Sequence, residues 1–158
     1  MKDKRACIFY FLMTIIFLDF GNHLRRISYN SYVENINNFI FSVVHVNNTG
    51  SAFGLFQNNA KLLAIFGILI VFLIVFEVFK NISFDNKNEL LALTLFSAGT
   101  LGNIIERLQF GHVADYIKLN FIDFPIFNAF DIMICIGIFL YFICIILDYK
   151  NEANKNRK

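Results

Sequence analysis

The chain has 158 residues, 57% of them apolar and only 16% charged, an apolar excess that calls for lipid rather than water as the surrounding solvent. Its formal charge of +2 is small, and its basic residues gather at the chain ends and in one loop, which excludes a nucleic-acid partner. Three scattered histidines and three cysteines, Cys7, Cys135 and Cys144, form neither an H-E-x-x-H pair nor a C-x-x-C pair, so no metal, cofactor or disulfide framework is expected.

Four apolar runs follow in chain order, each close to the roughly 17 to 25 residues that cross a bilayer. With their polar ends continued into the interface they cover about 6–24, 62–79, 90–108 and 126–147. The expected fold class is an all-α membrane protein, one domain of four transmembrane helices with a small extracytoplasmic β-rich loop region. The first run follows Lys2, Lys4 and Arg5 as a secretory signal would, but no small-residue cleavage site comes after it, so a retained helix is expected. The cysteines all lie in apolar stretches and read as buried, inert thiols. Nine of the 14 lysines and arginines fall in the N-terminus, the loop between the second and third runs, and the tail. That bias puts both termini in the cytoplasm and the loops at about 25–61 and 107–125 outside.

Within the first outer loop, Phe39, Phe41, Val43 and His45 alternate with Ile40, Ser42, Val44 and Val46, a period of two that predicts a strand. The stretch 113–121 alternates similarly and is a candidate partner, the pair forming a small sheet on the membrane surface. The segment Asn48 to Gly54 reads as a turn, with Phe53 available to plug an apolar surface. Gly99 to Asn103 reads as a small-residue helix interface, and Asn103 and Arg107, four apart, share one helix face at its outer end.

Asp131 is placed four or five residues inside the fourth run, where an ionised carboxylate facing lipid costs about 3 kcal/mol or more. It needs a proton or a partner, and Asn128, one turn earlier, offers an amide on the same face. The bland alternative is a structural hydrogen bond between helices. Two carboxylates held together suffice for peptide hydrolysis, because like charges at close range split their pKa values into a base and an acid. Which second carboxylate would serve is open on these grounds, with Asp115, Asp19, Asp123, Glu34 and Glu106 all on the same side.

In their order along the chain, these segments resemble the lipoprotein signal peptidase family, also called signal peptidase II. The resemblance is carried by Asp19 to His23, by Asn48, Gly50, Ala52 and Phe53, by Gly102, Asn103, Glu106 and Arg107, by Val113 to Ile117, and by Phe127, Asn128 and Asp131. It implies a membrane aspartyl endopeptidase of the bacterial inner membrane that cuts diacylglyceryl-modified prolipoproteins just before the lipid-modified cysteine. The implied catalytic pair is Asp115 and Asp131, acting on water without a cofactor. Asn48, Gly50, Phe53, Asn103, Arg107, Asn128 and Asp19 are implied as substrate-binding or supporting residues, and membrane lipids as the other partners. Phe20, His23, Glu106 and Phe130 depart from the family pattern, and Phe130, in place of a small residue, is expected to crowd or reorient the site. Two rival readings are a proton-relay transporter built on Asp131, and an assembly subunit whose polar span residues only join helices.

Overall fold

The computed structural model describes residues 3–30, 36–51, 55–83 and 85–155. Its elements in chain order are α1 (Lys4–Ser28), β1 (Phe41–Asn48), α2 (Ala60–Lys80), α3 (Lys87–Phe110), β2 (Val113–Leu119) and α4 (Ala129–Lys155). Three of the helices, α1, α2 and the Ala129–Lys150 part of α4, are long and apolar enough to cross a membrane. The expectation of four such runs is therefore met by three on apolarity, and α3 is the exception.

The reason lies in packing. On α1 only a narrow stripe is buried, Ala6, Cys7, Tyr10, Thr14, Gly21 and Ser28, and on α2 a similar one, Ala60, Ala64, Gly67, Ile74 and Val78. Helix α3 instead buries twelve residues, among them Thr94, Ser97, Ala98, Gly99, Gly102 and Asn103, because α1, α2 and α4 all pack against it. A helix covered by its neighbours has no need of large apolar side chains, and small residues let the backbones approach. A Cβ at Gly99 would collide with the carbonyl of Phe130 on α4, and one at Gly137 would come within 2.6 Å of the Phe96 amide nitrogen. Hydroxyls inside this core are satisfied locally: Thr94 and Thr100 donate to Leu90 and Phe96 carbonyls, and Tyr10 donates across the interface to Ser97 at 2.6 Å.

Helix α3 ends at Gly111, whose φ of 75° is the left-handed cap that glycine adopts freely. The chain then turns straight into β2, which pairs antiparallel with β1 from Phe41↔Leu119 to Asn48↔Val113. The two alternating stretches thus pair as anticipated, with one irregularity between Val43 and Val46. There β1 spends an extra residue opposite Tyr116, a bulge that sharpens the twist. His45, within the bulge, stacks on Tyr29 at 4.2 Å and bonds the Ser28 carbonyl, fastening the sheet to the end of α1.

The fourth helix begins at Ala129 rather than at 126. The residues before it are extended, and Phe127 exchanges backbone hydrogen bonds with Ile117 of β2 at 2.8 and 3.1 Å. Asp131 accordingly lies in the first turn of α4 and not four or five residues inside a helix.

Candidate active site

The bridge between Phe127 and Ile117 brings the start of α4 against β2, and Asn128 locks the junction. Its side-chain oxygen accepts the backbone N–H groups of Phe130 and Asp131 at 2.7 and 3.1 Å, capping the helix. The Asp131 carboxylate returns to accept the Asn128 backbone N–H at 3.0 Å, so residues 128 and 131 form a reciprocal capping box. The Asn128 amide is left free to donate sideways, to Asp115 Oδ1 at 2.8 Å and Asn103 Oδ1 at 3.2 Å. One asparagine therefore holds Asp115 with its side chain and Asp131 with its backbone.

Both carboxylates have a second donor. Asn103 on α3 gives its amide to Asp131 Oδ1 at 2.8 Å, and Asn48 at the end of β1 gives its amide to Asp115 Oδ2 at 2.9 Å. Asp131 further lies at the N-terminus of a long helix, where the macrodipole favours negative charge. Asp115 is 3% exposed. Burial pushes its carboxyl up to about 6, the hydrogen bond from Asn48 opposes that rise, and the nearby Asp131 charge adds to it. Burial likewise pushes the neighbouring Tyr116 hydroxyl up to about 12, so it stays neutral and accepts the Ala129 N–H at 3.2 Å.

Arg107, one turn beyond Asn103, spans from α3 to the turn after β1, donating to the Asn103 carbonyl at 3.3 Å and the Gly50 carbonyl at 2.9 Å. Gly50 is itself held by Asn48, whose side-chain oxygen accepts the Gly50 N–H at 2.9 Å. A Cβ at position 50 would stand 2.6 Å from the Leu55 carbonyl oxygen, so the turn needs glycine there.

Asn48, Asn103, Arg107, Asp115 and Asp131 line one cavity of about 590 Å³, which continues between α2 and α4 along Leu63, Phe66, Ile70, Ile132 and Ile136. Cys135, one turn after Asp131, also lines it and is exposed, contrary to the expectation that all three thiols are buried. Asp19 is not brought to this site. Its side chain is 81% exposed and lies 3.9 Å from Arg26 on the same helix. Phe53 lies outside the described residues.

Two parts of the arrangement escape sequence reasoning. Glu106, a candidate carboxylate there, accepts the Ala114 N–H at 2.7 Å and faces Arg25 Nε at 3.5 Å, and so braces the strand residue next to Asp115. Its signal was its place at the C-terminal end of α3, shared with Arg107. Phe130 does not crowd the cavity. Its ring fills the space left by Gly21 on α1 and Gly102 on α3, where any Cβ would collide with it. The pairing of one large residue with two glycines on other helices has no local signature.

A family model described as Signal peptidase (SPase) II matches residues 11–147 of the chain. A lipoprotein signal peptidase of Streptococcus agalactiae is 35% identical over 133 residues, covering 84% of this chain and 83% of that protein. Another, of Dehalococcoides mccartyi, is 40% identical over 101 residues, 62% of each chain. A bacterial membrane enzyme solved by the in meso method at 2.3 Å superposes with a TM-score of 0.79 at 27% identity, over 90% of both chains.

Proposed function

Because the chain belongs to the signal peptidase II family, a family of aspartic-type membrane proteases, we propose that Asp115 and Asp131 form its catalytic pair and hydrolyse the peptide bond before the lipid-modified cysteine of a prolipoprotein. The observation that carries this is the Asn128 junction, which holds two carboxylates from separate elements at one end of an apolar cavity.

The pair works with a single proton between its members. The ionised carboxylate takes a proton from water, whose oxygen adds to the scissile carbonyl carbon, while the protonated carboxyl donates to the carbonyl oxygen. Return of a proton to the cysteine nitrogen then breaks the C–N bond, releasing the signal peptide as an acid and the lipidated chain as an amine. Asp115, pushed up to about 6, holds the proton on the acid side of neutrality. The amides of Asn48, Asn103 and Asn128 fix the orientation of both carboxylates. Acyl chains on the cysteine anchor it in lipid and hold the scissile bond at the depth of the pair.

In this reading α3 crosses the membrane with the other three helices. Its 24 residues span about 36 Å, more than the roughly 30 Å hydrocarbon core, and its neighbours shield its small polar residues from lipid. The lysine and arginine bias supports cytoplasmic termini and a site at the extracytoplasmic side of the bacterial inner membrane.

The test is cleavage of a diacylglyceryl-modified precursor by purified protein in lipid. Asp115→Asn and Asp131→Asn should insert and fold yet leave the precursor uncut. Full activity in either variant would refute the pairing.

A further inference from the structure

A second cavity, of about 780 Å³, opens outward from the first and shares with it Asn48, Ser51, Asp115 and the 124–126 segment. Asp131 lines only the inner cavity, whereas Asp115 lines both. The two differ in chemistry. Beyond the polar groups of the site itself, Asn103, Arg107 and Asp131, the inner walls are mainly leucine, isoleucine and phenylalanine; the outer walls include Asn47, Thr49, Gln57, Lys118 and Asp123. Lys118 and Asp123 are exposed, and among the described residues neither has an ion-pair partner within 4 Å. Their charges are free to meet a ligand.

A precursor chain cut between these cavities must be apolar on one side of the bond and polar on the other. The signal peptide and the acyl chains are the apolar part; the segment after the cysteine leads into water. We propose that the outer cavity is the subsite for the residues that follow the lipid-modified cysteine, and that Lys118 and Asp123 read their charge. This rests on the peptidase reading above. It assigns the substrate's mature side to a surface of defined polarity, so selectivity among precursors is electrostatic and tuned separately from the apolar cavity.

The experiment compares lipid-modified precursors identical but for the two residues after the cysteine. In Lys118→Gln, the ratio of kcat/KM for a Lys-Lys precursor to that for a Glu-Glu precursor should rise about three- to tenfold over wild type, the range open to a partly exposed charge pair. In Asp123→Asn the same ratio should fall by a similar factor. The ratio is internal to each preparation, so partial loss of folded protein does not move it. With the wild-type enzyme alone, Lys-Glu and Glu-Lys precursors should be cut at rates differing about threefold or more at low ionic strength and converging in 1 M salt, where the Debye length is about 3 Å. Unmoved ratios in both variants, or equal wild-type rates for the two orders at low salt, overturn the assignment. If wild type cuts these precursors and Asp115→Asn does not, such a result removes the outer subsite alone. If wild type cuts none of them, the peptidase reading fails and the subsite falls with it.

Discussion

Replacing Asn48 by alanine removes one of the two side-chain donors to Asp115, a contact of 2.9 Å to Oδ2, and leaves the Asn128 donor in place. A hydrogen bond to a charged acceptor contributes about 1.5 to 3 kcal/mol, and one pKa unit corresponds to about 1.4 kcal/mol. The lost donor stabilised the ionised form, so its loss raises the Asp115 pKa further, from about 6 by roughly one to two units on those magnitudes. In the proposed mechanism catalysis needs one proton on the pair, and activity falls on the alkaline side as that proton is lost. The alkaline limb of kcat/KM, which reports the free enzyme, should therefore lie near pH 6 in wild type and move upward by roughly one to two pH units in Asn48→Ala. The limb belongs to the coupled pair rather than to either aspartate. Asn48 also holds the Gly50 amide, so the maximal activity on the plateau should drop; the position of the limb is independent of that loss. The assay is precursor cleavage from pH 5 to 9 at fixed lipid composition. A limb that stays in place or moves to lower pH would refute the electrostatic role given to Asn48.

Phe130→Ala should lower stability by about 3 to 5 kcal/mol, as for other buried phenylalanines, and Gly21→Leu combined with it should recover part of the loss in thermal unfolding in detergent, because the added side chain enters the vacated space. Glu106→Ala should leave the Ala114 N–H without its acceptor and Arg25 without its ion pair, costing about 1 to 3 kcal/mol and lowering kcat through misplacement of Asp115; Glu106→Gln, which retains an acceptor, should recover much of kcat. A membrane-permeant maleimide should label Cys135 well ahead of buried Cys7 and inhibit cleavage in proportion, with mass spectrometry locating the adduct and Cys135→Ser remaining insensitive.

Much of the architecture follows from patterns that act locally. Period-two alternation located both strands, although burial does not alternate along them, Val113 to Tyr116 of β2 being buried in succession and β1 only half-buried or exposed; the four apolar runs located all four helices. On apolarity alone α3 falls short of a membrane span, since a helix packed by its neighbours along much of its length can be built from alanine, glycine, serine and threonine. The candidate site divides in the same way. Asp131 was conspicuous as a carboxylate near an apolar span, and Asn128 as its helical neighbour. The choice of Asp115 over Asp19, Asp123 or Glu106 depended on resemblance, because the junction that brings Asp115 to Asp131 is a backbone pairing of Phe127 with Ile117 that leaves no residue-type signature. Expected crowding by Phe130 proved unfounded for a related reason, as its space comes from glycines 109 and 28 positions earlier in the chain.

The capping box at Asn128 makes the start of α4 intolerant of length change. Asp131 can return to the Asn128 amide only from the third helical position. One residue inserted or deleted between them would rotate the carboxylate about 100° around the helix, breaking the cap and withdrawing the acid from Asp115 together. Variation in this protein is thus confined, over residues 128–131, to exchanges of side chain at fixed spacing.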